Sequence, residues 1–468
     1  MRISALMTSS GVGFGTSGAR GRVVDMTDAV CFAYTAAFLA VLQPRASGRV
    51  ALGMDLRPSS PAIASACAAA IRHAGHDPVW CGALPTPALA FHAQEHGLPA
   101  IMVTGSHIPF DRNGIKFYRA DGEISKADEA AIAAADVALP DDGLSTQLPA
   151  VDDTARSEYI TRYLDFFPPR ALAGMRLGIY EHSSVARDLL GDLLTALGAQ
   201  VVSLGRTDEF VPIDTEAVAE VDIARGHAWS AEHRLDAILS TDGDADRPLI
   251  GDERGNWLRG DIVGLLCARL LGADAVAAPV SCNTAIEACG AFQRVIRTRI
   301  GSPYVIEAMQ TLATAGGTIA GFEANGGFLL GSALTRDGRT LRPLPTRDAV
   351  LPALTLLVGA QRQGMALSAL AADLPRRFTA SDRLQNFPTA DSHALIARLA
   401  ASTAAIADLL GQQASHIDQT DGLRMTLANG DIVHLRPSGN APELRCYAEA
   451  DSPQRAAALA SECLSRLR

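Results

Sequence analysis

Short apolar runs alternate with longer amphipathic stretches along most of this chain. The first block predicts strands at residues 50–55, 77–81 and 99–104, with helices at residues 60–74 and 87–96 between them. Strands that alternate with helices are typical of parallel sheets whose connections cross over as helices. The first part of the chain is therefore predicted to form an α/β unit.

The same alternation returns twice further along the chain. The second block predicts strands at residues 177–180, 201–204 and 237–240 with a helix at 185–197. The third predicts helices at 261–271, 283–290 and 303–315 and strands at 275–280, 294–298 and 318–321. We predict three tandem α/β units of about 100 residues each, a pattern that an internal repeat would also produce.

The end of the chain has a different pattern. Apolar residues 423–427 and 432–435 flank Asn429-Gly430, which predicts a two-residue hairpin whose central residues both take a positive φ. A strand at 444–449 and an amphipathic helix at 453–467 follow. We predict a small α+β domain after a boundary near Leu370.

Composition and charge narrow the class of protein. Hydrophobic residues make up 48% of the 468 positions and charged residues 20%, as in ordinary globular proteins. The formal net charge of −10 argues against a nucleic-acid surface, which needs clustered Lys and Arg. Signal-peptide and membrane-spanning patterns are not found, and the eight cysteines form no Cys-x-x-Cys pair. We expect a cytoplasmic protein with reduced thiols.

The most specific local signal is an acidic loop, Asp242-Gly-Asp244-Ala-Asp246-Arg247, directly after a predicted strand. In extended chain, positions i, i+2 and i+4 share one face, so the three carboxylates converge and require a cation. Oxygen ligands that leave coordination positions open favour Mg²⁺. A solvated acidic turn without an ion is the simpler alternative.

An EF-hand loop is a second alternative for this segment. Asp242, Asp244 and Asp246 match its first, third and fifth positions, and Glu253 falls at its twelfth. The sixth position, however, is Arg247 instead of the required Gly, and a strand precedes the loop. The pattern therefore favours a catalytic magnesium site.

A candidate nucleophile follows the last predicted strand of the first block. Ser106 lies in the segment Thr-Gly-Ser-His-Ile-Pro (residues 104–109), where open α/β sheets gather their ligands, and Lys116 could bring a positive charge to a phosphate. For an isolated segment of this kind, a serine at a helix N-cap is the better explanation. A serine hydrolase would need a Gly-x-Ser-x-Gly elbow, which this segment lacks.

Three further segments suit anions or sugars. A glycine-dense segment at residues 11–21 carries Arg20, and such loops can turn backbone N–H groups toward an anion. Glu323 and Asn325, in a glycine-rich turn after a predicted strand, can bond sugar hydroxyls. The remaining segment has a Ser-Gly-Asn turn at Ser438, Gly439 and Asn440, with Arg436 before it and Arg445 after it. The guanidinium groups of the two arginines match the geometry of phosphate oxygens. Flexible loops or ordinary turns remain alternatives for each segment taken alone.

Together and in this order, the five segments resemble the α-D-phosphohexomutase superfamily, specifically bacterial phosphomannomutase/phosphoglucomutase. The resemblance covers residues 14–447. It implies an α/β fold of three tandem α/β domains with mixed sheets plus a C-terminal α+β domain around a central cleft. The expected domains are residues 1–150 with the phosphoserine loop, 151–255 with the metal loop, 256–370 with the sugar loop and 371–468 with the phosphate-binding loop.

The resemblance also implies roles for individual residues. Ser106 is expected to carry the phosphoryl group and to join Asp242, Asp244 and Asp246 around one Mg²⁺. Arg20 and Arg247 are expected to stabilise the transferring group, and Lys116 is the candidate to deprotonate the attacking hydroxyl. The sugar loop is expected to read hydroxyls through Glu323 and Asn325, and the arginine loop to hold the distal phosphate through Arg436, Ser438, Gly439, Asn440 and Arg445.

The chain departs from the family pattern in three loops. Gly105 and Ile108 replace the usual Ala and Asn beside the nucleophile. Asn325 and Gly327 replace the usual Ser and His of the sugar loop, so a proton-transfer role for that histidine has no counterpart here. Residues 440–441 (Asn-Ala) replace Thr-Glu in the arginine loop. The sugar preference is the least secure inference from the resemblance.

The implied activity is the interconversion of hexose 6-phosphate and hexose 1-phosphate, with hexose 1,6-bisphosphate as intermediate and activator. Mannose phosphate is the expected substrate because the sugar loop resembles mannose-directed members; glucose and glucosamine phosphates stay open. Two alternatives are less favoured. A metal-dependent sugar phosphatase would need no arginine loop, and a non-catalytic sugar-phosphate-binding protein would need no nucleophile, whereas this chain has both. We expect small hexose phosphates as partners, no nucleic acid or membrane, and a monomer or weak homodimer.

Overall fold

Four main sheets, each formed by a different part of the chain, make up the frame of the protein. The computed structural model describes residues 2–15, 18–42, 48–140, 147–438 and 442–467. Within these ranges the first three sheets mix parallel and antiparallel strands and pack with helices, and the last sheet is antiparallel. The predicted fold class, α/β units followed by an α+β unit, is confirmed.

The first sheet contains the predicted parallel strands and a set of antiparallel ones. Its strands are β1 (Gly13–Phe14), β2 (Ala19–Arg22), β3 (Arg49–Met54), β4 (Asp77–Ala83), β5 (Ala100–Val103), β6 (Arg112–Arg119) and β7 (Gly122–Glu123). Its helices are α1 (Ile3–Ser10), α2 (Asp28–Val41), α3 (Ser60–His73), α4 (Thr86–His96) and α5 (Lys126–Ala134), with a short 3₁₀ helix at Val23–Asp25. The strand order is β1-β2-β6-β5-β3-β4, and β7 pairs with β6.

The second sheet is smaller. Its strands are β8 (Arg176–Tyr180), β9 (Gln200–Leu204), β10 (Ala237–Thr241) and β11 (Pro248–Gly251), with helices α6 (Thr154–Phe166), α7 (Arg187–Ala196) and α8 (Glu220–His233). The strand order is β11-β10-β8-β9, and β11 is antiparallel to β10.

The third sheet follows the same plan. The strands of this region are β12 (Ala275–Pro279), β13 (Arg294–Thr298), β14 (Ile319–Phe322), β15 (Phe328–Leu330), β16 (Leu334–Arg336), β17 (Arg339–Leu341) and β18 (Leu344–Asp348). The helices are α9 (Gly260–Leu271), α10 (Ala285–Ala288), α11 (Ser302–Ala313), α12 (Val350–Gln363) and a 3₁₀ helix at Leu367–Ala371. The sheet order is β13-β12-β14-β15-β18, and β16 and β17 form a separate two-stranded sheet.

The last sheet is an antiparallel layer covered by helices. Its strands are β19 (Phe378–Gln385), β20 (Ala414–Asp418), β21 (Leu423–Leu427), β22 (Ile432–Pro437) and β23 (Glu443–Ala450), with helices α13 (Thr389–Ala400), α14 (Thr403–Leu410) and α15 (Pro453–Ser465). The order is β19-β23-β22-β21-β20. In the described ranges no single helix has the length and apolar character to cross a membrane, although α13 and α14, bent by 109°, reach that threshold as a pair.

The turn between β21 and β22 differs from the predicted two-residue hairpin. Gly430 has φ 85°, but Asn429 does not take a positive φ, so that part of the prediction was wrong. The Leu427 N–H donates to the Asp431 carbonyl (2.8 Å) and the Gly430 N–H donates to the Leu427 carbonyl (2.9 Å). Three residues therefore form the loop, with the glycine in its last position, as in a type I turn followed by a bulge.

The distribution of apolar side chains separates the last sheet from the others. One continuous core joins the first three sheets through residues such as Met102, Leu177 and Val276. The last sheet has a core of its own that includes Val433. Polar contacts link it to the third sheet, among them the Ile300 N–H, which donates to Asp421 at 2.9 Å.

The same type of strand connection positions three of the loops that were predicted to be functional. In each of the first three sheets a strand with a parallel neighbour turns back into an antiparallel one: β5 into β6, β10 into β11, and β14 into β15. The fourth loop joins the antiparallel strands β22 and β23. All four candidate loops therefore connect adjacent antiparallel strands, and not a strand to a crossover helix.

Asp348, at the end of β18, connects three elements and provides a test of this packing. It is 1% exposed, accepts hydrogen bonds from the hydroxyls of Tyr159 and Tyr163 on α6, and accepts from the Val350 N–H at the start of α12. We expect Asp348→Ala to lower the free energy of unfolding by about 2–4 kcal/mol, because buried hydroxyls lose their acceptor. Urea denaturation followed by circular dichroism measures this change.

The matched control is Asp121→Ala, which removes an exposed ion pair with Arg119. It should cost less than about 1 kcal/mol. Equal effects of the two substitutions would contradict the role given to Asp348.

Candidate active site

Ser106 lies in the turn between β5 and β6, and it is completely buried. Its φ of 54° lies in the left-handed region, and the Thr104 hydroxyl accepts from its N–H at 2.8 Å. Its own hydroxyl donates to Asp242 at 2.6 Å. The segment leads into a strand, so the helix N-cap alternative is wrong, and the fold aims the hydroxyl at the acidic loop.

Arg57, which the sequence analysis missed, organises the backbone of the serine loop. Its guanidinium pairs with Asp55 (3.1 Å) and donates to the carbonyls of Ser106 (2.8 Å) and Pro109 (2.8 Å). A Cβ at Gly105 would lie 2.6 Å from the Arg57 Cζ. Gly105 is therefore required here because the arginine occupies the space of an alanine methyl group.

The acidic loop follows β10, as predicted, and its three carboxylates converge. Asp242, Asp244 and Asp246 are 0%, 0% and 1% exposed, and one oxygen of each lies within 4.8 Å of the others. Ala245, between two of them, has φ 56°. The loop turns back into β11 with no following helix, so the EF-hand alternative is wrong.

Two cations from other sheets neutralise these carboxylates. The Lys116 ammonium, on β6, donates to Asp244 (2.6 Å) and Asp246 (2.7 Å). The Arg347 guanidinium, on β18, donates to Asp246 at 2.8 Å. Burial raises the pKa of Asp246, but Arg347 and Lys116 outweigh it and hold the pKa below its usual value. For Asp242, burial and then the charges of its two neighbours raise the pKa well above its usual value.

The donor set of the acidic loop fits a hard divalent cation. Within the described part of the chain, the Oδ1 atoms of Asp244 and Asp246 are buried and have no hydrogen-bond donor. Buried carboxylate oxygens without a donor are costly unless a cation binds them. Oxygen-only ligands of this kind suit Mg²⁺ better than softer metals.

A cavity of about 250 Å³ adjoins the serine loop and the acidic loop, which line it through His107 and Arg247. All four sheet regions contribute to its lining, and it contains His107 beside Ser106. Its most frequent charged residue is arginine: Arg20, Arg247, Arg347, Arg383, Arg436 and Arg445. A cavity this rich in guanidinium groups is suited to an anionic ligand such as a phosphate.

Arg20 and Arg247, the two predicted to stabilise a phosphoryl group, face this cavity together. Burial and then the positive charges of Arg247 and Arg347 lower the pKa of Arg20 to about 10. The Arg247 Nε lies 3.6 Å from Asp246 and makes no hydrogen bond within the described ranges. Cations crowded in this way are stabilised by a bound anion.

The sugar loop between β14 and β15 also reaches the cavity. Glu323, 3% exposed, accepts from Arg347 at 3.1 Å, and the Asn325 side chain accepts from the Gly327 N–H at 2.9 Å. A Cβ at Gly327 would lie 2.7 Å from the Arg347 Cδ. Arg347 therefore occupies the space that a histidine side chain at position 327 would need.

The arginine loop contributes from the last sheet. The Arg436 guanidinium donates to Asp421 at 2.8 Å, Ser438 is 4% exposed, and the Arg445 Nε is buried without a hydrogen-bond partner in the described part of the chain. Gly439 and Asn440, also predicted to bind phosphate, lie outside the described residues.

Glu216 is a third residue that the sequence analysis missed, after Arg57 and Arg347. It lines the cavity, and burial together with the charge of Asp214 raises the pKa of its carboxyl. The sequence around it contains no motif, because it lies between the second sheet's strands in an irregular segment that only the fold brings to the cavity.

Comparisons with known proteins agree with this arrangement. Three family models match: phosphoglucomutase/phosphomannomutase alpha/beta/alpha domain I at residues 11–136, alpha/beta/alpha domain III at 259–378, and the C-terminal domain at 384–465. A solved structure described as a putative phosphomannomutase from Thermus thermophilus has the same fold, with a TM-score of 0.77 at 22% identity over 97% of this chain and 99% of that one.

Two relatives match at higher identity. A phosphomannomutase of Salmonella muenchen is 53% identical over 467 residues, which are 99% of this chain and 97% of that protein. A phosphomannomutase of Sinorhizobium fredii is 46% identical over 97% of this chain and 98% of that protein. The chain therefore belongs to the phosphoglucomutase/phosphomannomutase family, within the α-D-phosphohexomutase superfamily.

Proposed function

We propose that this chain is a phosphohexomutase that interconverts mannose 6-phosphate and mannose 1-phosphate through a phosphoserine at Ser106. The observation that carries the proposal is the convergence of Ser106, Lys116 and the three buried carboxylates next to a cavity lined by arginines from all four sheet regions. A nucleophile, a cation site and two separate anion sites are the parts that phosphoryl transfer between two ends of one sugar requires.

The first transfer would use the serine side of the cavity. The substrate's free hydroxyl oxygen bonds to the phosphorus of phosphoserine 106 as the bond from phosphorus to the Ser106 Oγ breaks, and hexose 1,6-bisphosphate results. Arg20 and Arg247 line the cavity beside this residue and would stabilise the charge on the transferring group. When bound, Mg²⁺ held by Asp242, Asp244, Asp246 and a phosphoserine oxygen would supply further positive charge.

The second transfer would use the same residues after the bisphosphate turns around. The Ser106 Oγ then bonds to the phosphorus at the other end of the bisphosphate as the bond from that phosphorus to the sugar oxygen breaks. The serine proton passes to this sugar oxygen, and the product leaves with its phosphate at the opposite end of the sugar. Arg436, Ser438 and Arg445 would hold whichever phosphate is not reacting, and Gly439 and Asn440 are proposed to assist. Guanidinium forks bind phosphate oxygens without regard to the sugar carbon that bears them, so one site can serve both orientations.

The proton of the attacking hydroxyl needs an acceptor. Lys116 was the predicted base, but its ammonium is paired with Asp244 and Asp246. Burial lowers the pKa of Lys116, but the charges of the two aspartates outweigh burial, so the pKa lies above its ordinary value. Lys116 therefore serves better as a cation while those contacts persist. Two other side chains in the same cavity, His107 and Glu216, can accept the proton. Burial and the positive charge of Arg247 lower the pKa of His107.

Mannose is the proposed sugar because the two high-identity relatives are phosphomannomutases. A phosphoglucosamine mutase of Symbiobacterium thermophilum is more distant, at 30% identity over 78% of this chain. Glucose phosphate and glucosamine phosphate are the alternative substrates, and Glu323 and Asn325 are the residues proposed to select among them. All eight cysteines are free, which fits the proposed cytoplasmic location.

The first prediction from the proposed function concerns the nucleophile. We expect turnover of mannose 1-phosphate that depends on added hexose 1,6-bisphosphate, and a loss of at least about 1,000-fold in kcat for Ser106→Ala, because the phosphoryl carrier is removed. A coupled assay with mannose, glucose and glucosamine 1-phosphates measures both the activity and the preference.

Ser203→Ala, a substitution on β9 away from the cavity, is the matched control and should keep its activity. No turnover of any of the three sugars, or full activity in Ser106→Ala, would refute the proposed mechanism. Phosphopeptide mass spectrometry of the purified protein should find phosphate on Ser106.

A second prediction concerns the metal. Chelation with EDTA should abolish turnover and added Mg²⁺ should restore it, and Asp244→Asn should raise the Mg²⁺ concentration for half-maximal activity by about 10–100-fold or more. Asp373→Asn, which affects only an exposed pair with Arg269, should leave that concentration unchanged. Unchanged Mg²⁺ dependence in Asp244→Asn would place the metal elsewhere.

A third prediction concerns the departure at position 327. We expect Gly327→His, which restores the usual family residue, to lower kcat/KM by at least about tenfold, since the new side chain displaces Arg347 from Glu323 and Asp246. Steady-state kinetics measure this change. Gly191→His is the control, because a Cβ there would meet no atom within 4 Å; improved activity in Gly327→His would contradict the argument.

A further inference from the structure

A second cluster of metal-ligating side chains lies between α4 and α6, outside the cavity described above. His92 and His96 come from consecutive turns of α4, and Glu158 comes from α6. One ligand atom of each lies within 4.8 Å of the other two. In the described ranges this cluster and the acidic loop are the two groups with such spacing.

The three side chains of the cluster are close enough to bind one ion together. The His92 Nδ1 lies 2.8 Å from one oxygen of Glu158, and the His96 Nε2 lies 2.7 Å from the other. The two imidazole rings are 4.4 Å apart between centroids. Residues four apart on a helix share one face, so both rings meet the carboxylate without a change in the backbone.

We propose that His92, His96 and Glu158 form a binding site for Zn²⁺ or a similar divalent transition metal. Two imidazole nitrogens and one carboxylate oxygen are a donor set that zinc accepts, with a water in the fourth position. The same set is too soft for Mg²⁺, which prefers oxygen ligands only. Binding requires only that the metal replace the protons that the imidazoles now share with Glu158.

The site has a route for the ion. The His92 side chain is 6% exposed, but His96 and Glu158 are 38% and 29% exposed. Glu158 also lines a surface cavity of about 590 Å³ that contains the polar side chains of Ser157 and Thr161. Solvent can therefore reach the position of the fourth ligand.

A metal here would link α6 to a helix whose other end contacts the acidic loop. α4 begins at Thr86, whose hydroxyl donates to Asp244 at 2.5 Å, and His96 is at the other end of the same helix. A bond from α4 to α6 would restrict the motion of a helix that contacts the acidic loop. The expected result is greater thermal stability of the zinc-bound protein, since a ligand that binds only the folded state stabilises it.

The experiment uses the full chain in a large excess of Mg²⁺, which saturates the acidic loop. Co²⁺, a spectroscopic substitute for zinc, is titrated and followed by visible absorption, and the rise in Tm with Zn²⁺ is measured in parallel. We expect one equivalent of tetrahedral-type Co²⁺ absorption, and at least about tenfold weaker binding in His96→Ala and in Glu158→Gln. Circular dichroism shows whether each variant remains folded.

His393→Ala, which changes an exposed histidine on α13, is the matched control and should bind Co²⁺ as the unmodified protein does. Three results would overturn the proposal: no Co²⁺ absorption in excess Mg²⁺, binding that His96→Ala and Glu158→Gln leave unchanged, or binding that only Asp244→Asn removes. None of these outcomes depends on the proposed mutase activity.

Discussion

Three carboxylates buried within 4.8 Å of one another impose the constraint on which the rest of the site depends. Buried carboxylates without counter-charges would carry a large desolvation cost, so the fold must bring cations to them. Lys116 comes from the first sheet and Arg347 from the third, while Ser106 supplies a hydroxyl. The acidic loop of the second sheet is thus neutralised only when the neighbouring sheets pack against it.

The reversal of strand direction in each sheet explains how the loops reach that point. A parallel strand that continues into a crossover helix carries its loop onto the face of the sheet. A strand whose chain returns as its antiparallel neighbour, as β5 does into β6 and β10 into β11, leaves its connecting loop at the strand end. Arg57 then fixes the loop after β5 through the carbonyls of Ser106 and Pro109, and this loop holds Ser106 at a positive φ against Asp242.

The sequence predicted the fold class, the parallel strands and the residues of the central motifs. The return strands β6, β11 and β15 were not predicted, because the strand–helix alternation around them suggested only parallel pairing. The helix predicted at residues 283–290 is limited to Ala285–Ala288, since the Asn283 side chain accepts from the Ala285 N–H and forms a turn before it. The domain boundaries and the oligomeric state stay predictions.

The sequence identified the site residues that belong to motifs, but not those that act only through contacts in the folded chain. Ser106 and the aspartates belong to motifs, so their order along the chain was enough to associate them. Arg57 and Arg347 act through contacts with residues distant in sequence, and nothing next to them marks that role. Glycines at positions 105 and 327 were visible as departures from the family pattern, but their cause, a guanidinium packed against each, needed the structure.

The separate core of the last sheet has a consequence for turnover under the proposed mechanism. Because that sheet adjoins the third through polar contacts such as that of Ile300 with Asp421, an outward rotation of it would not expose the core that the other three share. A gap wide enough for the bisphosphate to turn around also lets it escape into solvent. Each escape leaves the serine without its phosphoryl group, so the enzyme would stall until a fresh molecule of the bisphosphate recharged it.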